Sequence, residues 1–131
     1  MAKTSILIVD DEEELVFTLA ERLQFRGFDS DAVMNSMDAI SHAQIKNYDV
    51  AVIDLKMPVV GGVQLMKMLK QIQPDIKIIL MTGHCSEEVT QKSLAKGAYK
   101  CVIKPVRIDK LIEMVKQATS DKKQENDDEE A

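Results

Sequence analysis

Four short, almost wholly apolar runs constrain the fold of this chain more than any other feature. They cover residues 6–9, 50–53, 78–81 and 101–103. Runs of this length that are rich in β-branched residues and bounded by polar ones are typical of strands buried on both faces of a parallel sheet. A weaker run, from Phe28 to Val33, predicts a fifth strand near an edge of that sheet.

Helical patterns separate the apolar runs. Leu15, Leu19 and Leu23 recur at every fourth position, which places them on one face of a first helix. Further helices are predicted over residues 38–45, 65–72, 87–95 and 108–115. Strand and helix therefore alternate five times, and this predicts one α/β domain with a parallel sheet, right-handed crossovers and helices on both faces.

Negative charge is concentrated at the C-terminus. Residues 120–131 contain six acids and two lysines, whereas the other 119 residues carry 16 acids and 15 bases. We therefore expect a folded domain over residues 1–119 and a disordered acidic tail over residues 120–131. The chain has no basic stripe, which argues against nucleic-acid binding.

Membrane and secretion signals are absent from the sequence. The apolar runs are far shorter than the ~20 residues that a membrane-spanning helix needs, and no signal-peptide core follows Met1. Cys85 and Cys101 match no metal-binding or redox spacing, which indicates reduced thiols. Together these features predict a cytoplasmic protein.

Polar and charged residues follow four of the predicted strands. They are Asp10 and Asp11 after the first, Asp54 after the third, Thr82 and Gly83 after the fourth, and Lys104 and Pro105 after the fifth. In open α/β sheets the ligand binds beyond the carboxyl ends of the strands, where the strand order reverses. We therefore expect three carboxylates, a hydroxyl and an ammonium group to converge on one crevice.

This set of groups favours phosphoryl chemistry. Clustered carboxylates repel one another, and a hard divalent cation such as Mg²⁺, which prefers oxygen ligands, offsets the repulsion. A carboxylate can attack a phosphoryl group to form an acyl phosphate. The ammonium group of Lys104 can neutralise charge on the phosphoryl oxygens, and the hydroxyl of Thr82 can donate a hydrogen bond to one of them.

Each residue alone also has a simpler structural interpretation. Asp10 or Asp11 can cap the first helix, Asp54 can be a turn residue at a strand end, and Lys104 can belong to an ordinary turn before proline. The specificity of the prediction comes from the occurrence of all these groups at successive strand ends.

These motifs resemble the receiver domain of bacterial two-component response regulators. The resemblance covers residues 3–119 and rests on Ile-Leu-Ile-Val-Asp-Asp-Glu at 6–12, Asp-Leu-Lys-Met-Pro at 54–58 with Gly62, Thr-Gly at 82–83, Gly-Ala at 97–98 and Lys-Pro at 104–105. It implies a flavodoxin-like sandwich of five strands and five helices, with the parallel strands in the order 2-1-3-4-5. It also implies a stand-alone receiver similar to chemotaxis regulators and phosphorelay intermediates.

The resemblance assigns a role to each matching residue. It implies that Asp54 accepts a phosphoryl group from a histidine kinase, a phosphotransfer protein or a small phosphodonor. It implies that Asp11 binds Mg²⁺ (or Mn²⁺) directly and Asp10 through water, with Asp54 and the backbone carbonyl of Lys56 completing the ligands. Thr82 and Lys104 are then expected to contact the phosphoryl oxygens, and the bond between Lys104 and Pro105 is expected to be cis.

One position departs from the pattern of the family. Most receivers carry an aromatic switch residue on the fifth strand, and this chain has Cys101 there. Tyr99, two residues earlier, would share its face of the sheet if the strand were regular, but the stretch at 98–99 can also be loop. The small thiol favours a relay or scaffold role over a strong conformational switch. Lys56 and His84 are either tuning residues beside the path of attacking water or exposed loop residues.

The expected partner surface consists of the polar helix from Glu87 to Lys96 together with the fifth strand and the fifth helix. The sequence is compatible with four functional hypotheses: a stand-alone receiver, a receiver fragment of a longer regulator or hybrid kinase, a receiver-like domain that never carries phosphate, and an aspartyl-phosphate phosphohydrolase. Phosphohydrolases of that kind have a D-x-D pattern at the end of the first strand, whereas this chain has two adjacent acids there. The complete set of acids, threonine and lysine favours a receiver that carries phosphate.

Overall fold

A computed structural model describes residues 3–84 and 86–130, with side chains described as far as Asp121. Cys85 and residue 131 of the predicted tail lie outside the described residues. The strands are β1 (Ser5–Val9), β2 (Asp29–Val33), β3 (Val50–Asp54), β4 (Lys77–Thr82) and β5 (Lys100–Ile103). The helices are α1 (Glu13–Phe25), α2 (Ser36–Ile45), α3 (Gly62–Ile72), α4 (Glu87–Ala95) and α5 (Ile108–Glu130).

All the strands pair in parallel, in the order β2-β1-β3-β4-β5. This confirms the predicted flavodoxin-like α/β fold. The order reverses at β1, since β2 lies on one side of it and β3 on the other. The register aligns Val9 with Ile53 and Asp54 with Met81, so the carboxyl ends of β1, β3 and β4 lie at the same edge of the sheet.

The sheet separates two apolar layers. On one face, α1 and α5 pack against alternate residues of the central strands, such as Ile8, Val52 and Met81. On the other face, α2 and α3 pack against the intervening residues, such as Val9 and Ile53. Because the central strands are covered on both faces, they are almost continuously apolar, and this explains why the sequence reveals them so clearly.

The helices α4 and α5 differ from the other three, α4 in its burial and α5 in its length. Only Ser93 of α4 is buried, so this helix is weakly committed to the core. The backbone of α5 continues as helix to Glu130, where composition predicts a disordered tail. Residues 121–130 are rich in Lys, Gln and Glu, which propagate a helix that already exists. Within residues 3–84 and 86–130, no helix is sufficiently long and apolar to span a bilayer.

Candidate functional site

Three carboxylates from two strand ends meet at the edge of the sheet where the strand order reverses. Asp10 and Asp11 follow β1, and Asp54 is the last residue of β3. One carboxylate oxygen from each lies within 4.8 Å of the others, which is close enough for a single cation to bind all three. Asp10 and Asp54 are buried and Asp11 is exposed, so the cluster extends from the interior to the solvent.

Asp10 is held from two sides. Its Oδ1 accepts a hydrogen bond of 3.0 Å from the Glu12 backbone N–H, which closes a turn before α1. The cap of α1 is Glu12, with no side-chain capping bond, so the capping interpretation of Asp10 and Asp11 is wrong. Asp10 Oδ2 is buried without a well-directed hydrogen bond and is balanced by the Lys104 ammonium group at 2.7 Å. A buried carboxylate oxygen that can still accept a ligand contact fits a cation site.

Lys104 brings the positive charge of β5 into the same crevice. Its Nζ lies 2.7 Å from Asp10 Oδ2, 3.4 Å from Glu12 Oε1 and 3.5 Å from Asp54 Oδ2. Burial acts to lower the pKa of Lys104, but the surrounding carboxylates, Asp10 above all, raise it overall. The side chain is therefore a permanent cation, and the peptide bond between Lys104 and Pro105 is cis, as the resemblance implied.

The ionised form of Asp54 is disfavoured in this crevice. Burial raises its pKa, and the neighbouring Asp10 carboxylate raises it further, while Lys104 opposes both effects. Asp54 Oδ1 accepts a hydrogen bond of 3.3 Å from the Lys56 N–H. Added positive charge beside Asp54 would stabilise its ionised form, which is the form that can act as a nucleophile.

Thr82 ends β4 beside this cluster. Its side chain is buried, and its hydroxyl donates to the His84 carbonyl and accepts from the His84 N–H, each at 3.2 Å. The side chains of His84 and Lys56 are exposed on the loops after β4 and β3. The structure thus brings Thr82 to the predicted strand end and leaves both candidate tuning side chains accessible to solvent.

Cys101 and Tyr99 lie on opposite faces of the sheet. Cys101 is partly buried against the layer that contains α2 and α3. Tyr99 precedes β5, packs in the layer of α1 and α5, and donates a hydrogen bond to the Asp121 carboxylate. The alternation rule does not apply to Tyr99 because β5 begins at Lys100. Tyr99 therefore does not replace the missing aromatic residue behind Thr82.

The sequence did not reveal the physical roles of two contributors to the site. Glu12 reaches Lys104, and the only sequence signal was its position directly after the acid pair. Gly62 was noted as part of the resemblance, but its physical role is visible only in three dimensions. A Cβ atom at this position would lie 2.4 Å from the carbonyl oxygen of Asp54. The α3 helix can approach the acceptor strand this closely because residue 62 has no side chain.

An open parallel sheet with acids, a threonine and a lysine at its carboxyl edge is what the resemblance to response-regulator receivers predicts. The family model for the response regulator receiver domain matches residues 6–116, and the chain belongs to this family. It is a receiver of two-component signal transduction.

Solved structures agree with this assignment. A receiver domain protein from Methanospirillum hungatei, described as CheY-like, superposes with a TM-score of 0.87 at 27% identity, covering 95% of this chain and 99% of that one. A response regulator from Burkholderia pseudomallei, crystallised with a phosphorylated aspartic acid and a calcium ion, gives a TM-score of 0.81 at 25% identity. The match covers 95% of this chain and 73% of that one.

The curated relatives differ in length. The sporulation initiation phosphotransferase F of Bacillus subtilis is 29% identical over 116 residues, which are 88% of this chain and 94% of that protein. The C4-dicarboxylate transport transcriptional regulatory protein DctD of Pseudomonas aeruginosa is 30% identical over 118 residues, 89% of this chain but 25% of that protein. The chain spans about a quarter of the length of the first curated relatives that it matches.

Proposed function

We propose that Asp54 accepts a phosphoryl group from a phosphohistidine of a histidine kinase or phosphotransfer protein. The convergence of Asp10, Asp11 and Asp54 on a point within reach of Lys104 is the observation that carries this proposal. In the transfer, an Asp54 oxygen forms the new bond to phosphorus as the bond from phosphorus to the histidine nitrogen breaks. The similar response regulator from Burkholderia pseudomallei supports the same chemistry, since its structure holds a phosphorylated aspartic acid.

Oxygen ligands and negative charge suit this crevice to Mg²⁺ or Mn²⁺. The carboxylates of Asp10, Asp11 and Asp54, with the backbone carbonyl of Lys56, would hold the cation. When bound, it supplies positive charge to the phosphoryl oxygens. The fit rests on the buried Asp10 oxygen without a well-directed hydrogen bond and on the pKa of Asp54, which burial and the charge of Asp10 both raise. All these donors are oxygens, as hard divalent cations require.

The remaining residues of the site position the phosphoryl group. Lys104 already lies 3.5 Å from Asp54 and can exchange a carboxylate contact for a phosphoryl oxygen. Thr82 can do the same when its hydroxyl leaves the His84 backbone. In our proposal Lys56 and His84, with exposed side chains on the adjacent loops, set the rate at which water removes the phosphate.

We favour a relay role over a strong conformational switch. Cys101 occupies the position of the switch aromatic residue, and Tyr99 faces the other layer of the domain. One relative that the chain covers almost completely, from Bacillus subtilis, is a phosphotransferase by name, which supports the transfer of phosphate onward. The protein would then act on its partners by binding and phosphotransfer, and catalyse only its own phosphorylation and dephosphorylation.

The surface formed by α4, β5 and α5 is the proposed site for the downstream protein. Leu94 and Ile103 are exposed there, and a groove of about 530 Å³ includes Ile103, Val106 and Met114 among its lining residues. We also propose a cytoplasmic location, no nucleic-acid partner, and a receiver that ends near residue 119. A receiver fragment of a longer regulator or hybrid kinase is the alternative arrangement.

Intact-mass analysis after incubation with acetyl phosphate and Mg²⁺ tests the proposal. We expect the mass to increase by one phosphoryl group, and expect no increase in Asp54→Asn or with EDTA. A wild-type chain that stays unmodified with Mg²⁺ present would contradict the proposal. Continuous turnover of small phosphate esters would instead favour a phosphohydrolase.

A further inference from the structure

Glu12 places a third carboxylate on the ammonium group of Lys104. Its Oε1 lies 3.4 Å from Lys104 Nζ, while Asp10 and Asp54 contact the same atom at 2.7 and 3.5 Å. The Asp10 side chain is completely buried, whereas that of Glu12 is 66% exposed. Glu12 therefore contacts Lys104 from the solvent side, at the mouth of the crevice.

The position of Glu12 matters because a phosphodonor that reached Asp54 from solvent on this side would pass close to the exposed Glu12 carboxylate. A phosphodonor brings negative oxygens that must reach the Lys104 ammonium group, so it competes with Glu12 for that group. A carboxylate at the mouth also repels an incoming anion directly, and more strongly when the anion carries more charge.

We propose that Glu12 is a positioning residue that restrains Lys104 in the resting state and discriminates between phosphodonors by their charge. This inference rests on the proposed acceptance of phosphate by Asp54. Glu12 acts through Lys104 and through its own charge, and its backbone N–H separately supports Asp10. Substitution of the side chain leaves that backbone hydrogen bond in place, so the turn before α1 is retained.

The chain offers a matched control in Glu13. Glu13 is the next residue, is exposed in the first turn of α1, and loses the same charge when replaced by Gln. The ion pairs described for Lys104 within residues 3–84 and 86–121 involve Asp10, Glu12 and Asp54, not Glu13. A difference between Glu12→Gln and Glu13→Gln therefore reports the position of the charge and not its loss from the protein.

The test measures phosphorylation rates with Mg²⁺ by intact mass, using acetyl phosphate and the less negatively charged phosphoramidate. We expect Glu12→Gln to react with acetyl phosphate roughly two- to fivefold faster than Glu13→Gln, as for an exposed ion pair. The gain should be smaller with phosphoramidate and should shrink as salt is added. A purely structural role would change both donors equally. Equal rates for the two variants with both donors would overturn the inference.

A second measurement separates this inference from the proposed function. Inorganic phosphate is titrated into wild type, Glu12→Gln and Glu13→Gln with Mg²⁺ present, and binding is followed by the NMR shifts of the Gly83 and Lys104 amides. We expect tighter binding in Glu12→Gln alone, and equal binding in all three proteins would overturn the role of Glu12. If wild type never gains a phosphoryl group on Asp54, the proposed function fails, and the phosphate titration still decides whether Glu12 controls access of anions to Lys104.

Discussion

Replacement of Gly62 by alanine tests how closely the acceptor strand and α3 are packed. The new Cβ would lie 2.4 Å from the Asp54 carbonyl oxygen, 2.8 Å from the Leu55 Cα and 3.1 Å from the Asp54 carbonyl carbon. All three are backbone atoms of the segment that carries the acceptor, so none can rotate away. To restore ordinary contact distances, the start of α3 must move away from β3 by about 1 Å.

The energetic cost follows from this displacement. Overpacking of this kind costs about 1–3 kcal/mol, and the shift also stretches the 3.0 Å hydrogen bond from the Gly62 N–H to the Leu55 carbonyl. That bond contributes roughly 1 kcal/mol to stability. Alanine also reduces the conformational freedom of the unfolded chain, which offsets about 0.4–1 kcal/mol of the cost. We therefore expect Gly62→Ala to lower the free energy of unfolding by about 2 kcal/mol.

Urea unfolding measures the effect, with Gly61→Ala as the matched control. At residue 61 the nearest described atom to an added Cβ is the Leu55 carbonyl oxygen at 3.8 Å, and φ is −74°, so alanine fits. We expect a midpoint lower by roughly 1–2 M urea for Gly62→Ala and a change of less than about 0.5 M for Gly61→Ala. Because the added Cβ presses on backbone atoms of Asp54 itself, the folded fraction of Gly62→Ala should also be phosphorylated roughly tenfold more slowly. Equal midpoints and rates for the two variants would refute the packing argument.

Three further predictions concern charge and hydrogen bonding. The pKa of Asp54 is higher in the folded protein than in the unfolded chain, so the stability that this residue gives at low pH is lost as pH rises through the raised pKa. We therefore expect Asp54→Asn to unfold at a higher temperature than wild type at pH 7 in EDTA, and expect a smaller difference near pH 3 and with Mg²⁺. An equal increase in unfolding temperature at both pH values would contradict the raised pKa of Asp54. Lys104→Met leaves Asp10 and Asp54 without the cation that they share, and we expect urea unfolding in EDTA to show a free energy of unfolding lower by about 3 kcal/mol. Mg²⁺ should restore part of this stability, and an unchanged midpoint in EDTA would argue against the ion pair. Tyr48→Phe removes the 2.6 Å hydrogen bond from the Tyr48 hydroxyl to Asp31, which is distant from the site. It should lower the free energy of unfolding by about 1–2 kcal/mol and leave the phosphorylation rate unchanged. A rate change as large as that of Lys104→Met would show that the two regions are coupled.

The strand-end residues could be predicted because each follows an apolar run that is visible in the sequence. Asp10, Asp54, Thr82 and Lys104 all lie where the alternation of strand and helix places them. Parallel strands bring their carboxyl ends to one edge, so sequence position alone was enough to predict that these residues converge. The strand boundaries differed from the prediction by one residue, as at β3, which extends to Asp54, whereas α3 begins at Gly62, three residues before its predicted start.

Other features could not be predicted because they depend on contacts between distant segments. The approach of α3 to β3 at Gly62 depends on the crossing of two elements, and the contact of Glu12 with Lys104 joins residues 92 positions apart. The opposite placement of Tyr99 and Cys101 depends on where β5 begins, which periodicity does not define to the residue.

The fold class and the chemistry of the site follow from the order of the residues, because buried parallel strands require apolar runs and a crevice at their carboxyl ends takes its groups from the residues that follow. The distribution of charge within that crevice depends instead on tertiary packing. Only packing brings the buried Asp10 carboxylate to 2.7 Å from Lys104, places Glu12 at the mouth, and raises the pKa of Asp54 through burial and the charge of Asp10. These effects depend on distance and desolvation, which the order of residues along the chain does not contain.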